Sequence, residues 1–90
     1  MPKSLRSRFA TIVAILVECK SPKTLNAVCL RVHVGYHLGS EVLELLEGAG
    51  CVSRSVGGDK VFFGTTRRGL EVVSKWEELH SLAERLECEL

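Results

Sequence analysis

The sequence has few of the features that mark membrane-bound or secreted proteins. Its longest apolar run, Ile12 to Val17, is far shorter than the ~18–20 residues that span a bilayer, and no small-residue cleavage site follows it. Its four cysteines include no C-x-x-C pair, which excludes a zinc knuckle and a thioredoxin motif. We therefore expect a cytoplasmic protein without membrane contact, a metal site or a cofactor.

Catalytic signatures are also missing. The chain contains no G-x-S-x-G nucleophile turn, P-loop or dinucleotide fingerprint. Gly57 and Gly58 lie between two short β patterns, so they lack the strand–loop–helix context of a phosphate-binding loop. We predict that the protein is not an enzyme.

Length and charge point to one small domain with an uneven charge distribution. Ninety residues are enough for a single modest core. The net charge of +1 hides a split, because residues 1–69 carry ten Lys/Arg against five Asp/Glu (+5), and residues 70–90 carry two against six (−4). The basic first part suits an anionic partner. The alternative explanation of the split is that the acidic end only keeps that segment soluble, and charge alone favours the two equally.

The last twenty residues have the apolar spacing of a two-stranded coiled coil. Apolar positions alternate by steps of four and three, the spacing of a heptad seam, and charged residues fill most of the positions between them. In so short a chain, the second helix is expected to come from another copy. We call these positions the heptad seam and predict that they mediate dimerisation: Val72, Trp76, Leu79, Ala83, Leu86 and Leu90.

Ahead of this segment, the pattern predicts three helices. Apolar residues recur every three or four positions from Leu5 to Cys19, from Pro22 or Lys23 to Val32, and from Tyr36 to Glu47. Val34-Gly35 predicts a turn between the second and third helices. Two helices joined by so short a turn are typical of a helix-turn-helix.

After the third helix, the apolar period changes from 3.6 to 2. Residues 51–56 and Lys60–Thr65 predict two strands, and Gly57-Gly58-Asp59 predicts a tight hairpin between them. Thr66 is placed to cap the long last helix, and Gly69 permits close packing in its first turn.

Three helices, a hairpin and a long helix give a mainly α fold with a β-hairpin (α+β). The order predicts a winged helix-turn-helix with a long C-terminal coiled-coil dimerisation helix. We place the winged-helix head at residues 1–66 and the dimerisation helix at residues 67–90.

The chain resembles the archaeal winged-helix DNA-binding proteins of the Sulfolobus "ten-a" type, which are small chromatin-associated dimers. The resemblance covers nearly the whole chain, and the terminal heptads narrow the choice among archaeal winged helices. It rests on an apolar first helix that ends near Cys19 and on four segments that follow in order: Ser21-Pro22-Lys23-Thr24, Val34-Gly35-Tyr36-His37-Leu38, residues 42–52, and Phe62-Phe63-Gly64-Thr65-Thr66-Arg67-Arg68-Gly69.

This resemblance implies a homodimer that binds double-stranded DNA and associates with the nucleoid. In that family, the last helix pairs antiparallel with its mate, and DNA contacts come from the third helix and the wing. By position, the implied contacts are Tyr36, His37, Ser40 and Glu41 on the third helix, and Arg54, Ser55 and Lys60 on the wing.

The chemistry of the predicted contact residues suits DNA. Hydroxyl and imidazole groups donate to phosphates or base edges, and Glu41 is able to accept from a cytosine amino group. Three further cations, Lys23, Arg67 and Arg68, flank the same elements. Arg67 and Arg68 fall in the first turn of a helix, where the dipole disfavours cations, so a role outside helix stability is expected for them.

One alternative function stays open. A near-neutral charge also suits a winged-helix module that associates with other proteins and binds no nucleic acid. For a DNA-binding protein, the sequence fits both a transcription regulator and a chromatin-type architectural protein.

Overall fold

The predicted order of helices and strands is confirmed. A computed structural model describes the backbone of residues 2–89 and the side chains of residues 8–88. The elements are α1 (Pro2–Glu18), α2 (Leu25–Val32), α3 (Tyr36–Gly48), β1 (Val52–Gly57), β2 (Lys60–Thr65) and α4 (Arg67–Glu89).

The first two helices start at different residues from those predicted. Helix α1 begins at Pro2 rather than Leu5. Helix α2 begins at Leu25, because the backbone of Lys23 pairs with Phe63 through two hydrogen bonds of 3.1 and 2.8 Å. Thr24 then caps the helix, and its hydroxyl accepts from the amide of Ala27 at 3.3 Å. This pairing with a residue forty positions later in the chain thus keeps the first residues of the predicted second helix in extended backbone.

The hairpin pairs β1 and β2 in an antiparallel register. Val52 faces Thr65 and Gly57 faces Lys60, so the loop consists of Gly58 and Asp59 alone. It is one residue shorter than the predicted turn. Gly58 has a φ of +65°, the sign that tight hairpin turns require.

A single core lies between the helices and the base of the hairpin. All four helices and both strands contribute, which fits the burial of one amphipathic face from each element. The buried members are Val13, Ile15, Leu16, Cys19, Val28, Val42, Leu43, Leu46, Cys51, Val52, Phe63 and Val73.

The start of α4 is fixed tightly to this core. Thr66 accepts a hydrogen bond from the amide of Gly69 at 3.3 Å, which confirms the predicted cap. A Cβ at Gly69 would overlap the Cys51 carbonyl oxygen and the Thr65 side chain, so only glycine allows this close approach. One turn further on, Val73 is 3% exposed within the core.

Beyond Trp76, α4 leaves the head. Every side chain from residue 77 to residue 88 is exposed, and the molecule measures 53 × 27 × 20 Å. No helix within residues 2–89 combines the length and apolar character needed to cross a membrane.

Candidate nucleic-acid interface

The geometry of the helix-turn-helix depends on a residue with a left-handed backbone conformation and on a close contact between α2 and α3. His33 ends α2 with φ 62° and ψ 47°, and Val34 donates its amide to the Cys29 carbonyl at 3.1 Å. Helix α3 then packs on α2 at Gly39, where an added Cβ would overlap the sulfur of Cys29. These contacts fix the direction of α3 relative to α2.

One side of α3 is buried and the opposite side faces solvent. The buried residues are Gly39, Val42, Leu43 and Leu46. At 100° per residue, the side opposite to them contains His37, Glu41, Glu44 and Gly48, all exposed. Two carboxylates, those of Glu41 and Glu44, therefore occupy the centre of the exposed side of α3.

The flank of α3 beside the wing is polar and partly concave. Tyr36 is 64% exposed at the first helical position, and Ser40 lies one turn later. Together with Arg54 they line a cleft of about 300 Å³ between α3 and the hairpin. We call this the α3–wing cleft; its walls are Leu25, Tyr36, Ser40, Leu43, Glu44, Arg54, Val61 and Phe63.

The wing presents different residues on its two faces, because side chains alternate along a strand. Arg54 shares the inner face with Phe63, its partner in the register. Ser55 falls on the outer face, and Lys60 lies beside the turn; both are exposed. Among residues 8–88, Lys60 has no ion-pair partner, which leaves its charge available to an anion.

The charged group of Arg54, unlike that of Lys60, is held by contacts within the chain. Its Nη2 donates to Glu47 Oε1 at 2.9 Å, and its Cζ lies 5.3 Å from the centroid of the Phe63 ring. The guanidinium thus bridges the wing and the last turn of α3. Glu47 and Phe63 were not predicted from the sequence, because contacts across a turn or between paired strands leave no periodic signal.

The side chains of Lys23, Arg67 and Arg68 are not among those that line the α3–wing cleft. The ammonium of Lys23 donates to the Glu18 carbonyl at 2.7 Å, at the end of α1. Arg68 donates to the Ala49 carbonyl at 3.1 Å, one residue after α3. Because α3 has 13 residues, that end lies roughly 20 Å from Tyr36. Arg67 is exposed at the start of α4.

The heptad seam is divided between the head and solvent. Val72 and Trp76 are half-buried against the core, and the Trp76 ring meets Phe9 edge-on at 4.8 Å between centroids. Further along, Leu79 and Leu86 are 58% and 55% exposed, and Ala83 is exposed as well. Leu90 lies outside the described residues.

An apolar groove runs from the head along the exposed part of the seam. Phe9 and Ile12 of α1 form one wall, and Trp76, Leu79 and Ala83 of α4 form the other. The groove leaves a contiguous apolar surface exposed to water.

Solved structures share this fold. The chain matches Sso10a-2, a DNA-binding protein from Sulfolobus solfataricus, with a TM-score of 0.80 and 18% identity over 90% of this chain and 85% of that one. It matches the transcriptional regulator BldR from Sulfolobus solfataricus with a TM-score of 0.76 and 20% identity over 90% of this chain and 62% of that one.

A third similar structure is bacterial. MepR, a transcription regulator of the multidrug efflux pump MepA of Staphylococcus aureus, matches with a TM-score of 0.73 and 18% identity over 92% of this chain and 63% of that one. The chain thus spans somewhat under two thirds of MepR and BldR. No family model matches the sequence, and no curated protein matches it either. The structural likenesses establish the winged-helix fold.

Proposed function

We propose that this protein is a homodimer that binds double-stranded DNA through α3 and the wing. One observation carries the proposal: the fold places an exposed α3 beside a projecting hairpin, and their side chains meet in the α3–wing cleft. Three similar structures are described as a DNA-binding protein or as transcription regulators. A variant of MepR was solved bound to an oligodeoxyribonucleotide.

The predicted residues of α3 and the wing have different roles in DNA binding. Tyr36, His37, Ser40 and Glu41 enter the major groove from the N-terminal turns of α3. Ser55 and Lys60 contact the phosphate backbone from the exposed parts of the wing.

Three of the remaining predicted cations, Lys23, Arg67 and Arg68, have no direct DNA contact in this proposal. Lys23 and Arg68 hold backbone carbonyls, so their side chains support the fold. Arg67 is peripheral. This division places the phosphate-binding charge mainly at the wing.

The exposed part of the heptad seam supports dimerisation between two α4 helices. In an antiparallel pair, we place Leu79 opposite Ala83 of the second copy, so that a large side chain meets a small one. The same register places Trp76 opposite Leu86. Residues 67–90 of the two copies would then form a stalk. The two heads, each made of residues 1–66, would lie at its opposite ends.

Binding to a random-sequence duplex at 50 mM salt tests the proposed function. Each phosphate neutralised by a protein cation changes the slope of log K against log salt by about −0.9. Lys60→Ala should therefore flatten the slope by about 0.9 per head. Lys75→Ala is the matched control, since it removes an exposed cation from α4 and should leave the slope unchanged.

The outcome also bears on cellular role. Salt-dependent binding to any duplex supports a nucleoid-associated protein of regulatory or architectural type. A dimer that fails to bind every duplex tested at 50 mM salt would favour the alternative, a winged-helix module for protein association.

A further inference from the structure

The guanidinium of Arg54 is held in a defined position by two neighbouring elements. Glu47, in the last turn of α3, accepts its hydrogen bond at 2.9 Å, and the Phe63 ring lies under it. Phe63 is fixed in turn, because its backbone pairs with Lys23 in both directions. The arginine side chain is still 48% exposed, and that of Glu47 is 35% exposed.

Negative charge exceeds positive charge around this guanidinium. Among the described residues that line the α3–wing cleft, Arg54 is the one cation and Glu44 is an anion. Glu47 adds a second carboxylate from the adjoining turn. At pH 7 these three side chains sum to −1, so a phosphate that approaches Arg54 meets a charge that is already neutralised.

We infer that Glu47 competes with DNA phosphate for Arg54. Carboxylate and phosphate oxygens accept from the same N–H donors of a guanidinium, and a guanidinium already paired with its own anion releases few counterions from DNA. The wing therefore contributes its arginine to binding only when the contact with α3 opens. This inference rests on the proposed DNA-binding function and names the residue that limits it.

The strength of the competition is set by exposure. An ion pair of two partly exposed side chains is weak, so Glu47 should lower DNA affinity without abolishing it. We expect a change of about twofold to fivefold per head when the pair is removed.

Three variants test the competition by fluorescence anisotropy with a labelled duplex between 50 and 200 mM salt. Glu47→Gln should raise affinity by that factor and steepen the salt slope by about 0.9 per head. Arg54→Ala alone should change the slope little. Arg54→Ala combined with Glu47→Gln should show neither the higher affinity nor the steeper salt slope, because the guanidinium that Glu47→Gln would free is absent.

Glu41→Gln is the matched control. It removes the same charge from an exposed position of the same helix, and no contact links Glu41 to Arg54 within the described residues. Any gain in affinity from Glu41→Gln should persist when Arg54 is Ala. Glu47→Ala provides a second release variant, and thermal unfolding shows that each protein is folded.

The outcomes separate the inference from the proposed function. Native binding with no change in Glu47→Gln and Glu47→Ala overturns the inference alone, and so does a gain that survives Arg54→Ala. Weaker binding by Glu47→Gln also overturns it, since Glu47 would then position Arg54 for DNA. Native binding that strengthens about twofold to fivefold in Glu47→Gln, with the gain lost when Arg54 is Ala, supports it. Absence of binding by both overturns the inference together with the proposed function.

Discussion

The sulfur of Cys29, on α2, fills the space in which Gly39, on α3, would carry a side chain. Both residues are buried, and the two helices of the helix-turn-helix approach each other at this point. The direction of α3, and with it the position of Tyr36 and Ser40, depends on this contact.

Gly39→Ala should lower the free energy of unfolding by about 1–3 kcal/mol, because the new methyl group overpacks the α2–α3 contact. Urea unfolding monitored by circular dichroism measures the change. Gly48→Ala is the matched control, since a Cβ there meets nothing within 4 Å and should stabilise α3 by up to about 1 kcal/mol. Cys29→Ala in the Gly39→Ala protein should restore part of the loss. Equal effects at positions 39 and 48 would contradict the predicted clash.

His33→Gly should raise the free energy of unfolding by about 0.5–1 kcal/mol. His33 has a left-handed backbone with φ 62°, which disfavours a residue with a Cβ and suits glycine after a helix. His37→Gly, in the first turn of α3, should instead lower stability by up to about 1 kcal/mol. A loss of stability in both variants would show that the His33 side chain matters more than its backbone.

The four cysteines should react with Ellman's reagent in two classes. Cys88 is exposed, and Cys19, Cys29 and Cys51 are buried. Burial raises the pKa of the Cys19 thiol to about 11 and raises the pKa of Cys29 as well, which lowers the reactive thiolate fraction. We expect one fast thiol and three that react only as the chain opens. Cys88→Ser should remove the fast class, and four equal rates would mean that the core is open.

Stability should fall between pH 9 and pH 11 through Cys19. Its folded-state pKa, about 11, lies above the ordinary value of 9.0, so the folded state keeps a proton that the unfolded chain has lost. The contribution is fully present below pH 9 and is lost as pH rises towards 11; between pH 8 and 10.5 it amounts to about 2 kcal/mol. Urea unfolding of the native chain and of Cys19→Ala at pH 8 and pH 10.5 isolates the Cys19 contribution, because the other titratable groups behave alike in the two proteins. A constant difference between the two proteins would refute the shift.

Lysines in the exposed seam should dissociate the dimer. Leu79→Lys with Ala83→Lys places charges between two apolar helices, at a cost of several kcal/mol. Sedimentation of the native 9.9 kDa chain should give about twice that mass, and the variant should sediment as a monomer. Ser81→Lys, on the side of α4 away from the seam, should stay dimeric. A native monomer at tens of micromolar would remove the basis for the proposed stalk.

Local sequence patterns were enough to predict the order of the helices and strands, because each element buries one face at a characteristic period. The 3.6-residue period of α3 and the alternation of Lys60–Thr65 both depend on neighbours only a few positions away. The cap at Thr66 and the close approach at Gly69 are equally local, and both were predicted.

Which charged side chains remain available to a partner depends on contacts that form only in the folded chain. The contacts of Lys23 with Glu18, Arg68 with Ala49 and Arg54 with Glu47 all join polar groups across a turn or between elements. Such pairs leave no periodic pattern in the sequence. The sequence of a half-exposed cation is also the same whether its partner is a carboxylate of its own chain or a phosphate of another molecule. The pairing of Lys23 with Phe63 likewise shortened α2 through backbone groups that every residue possesses.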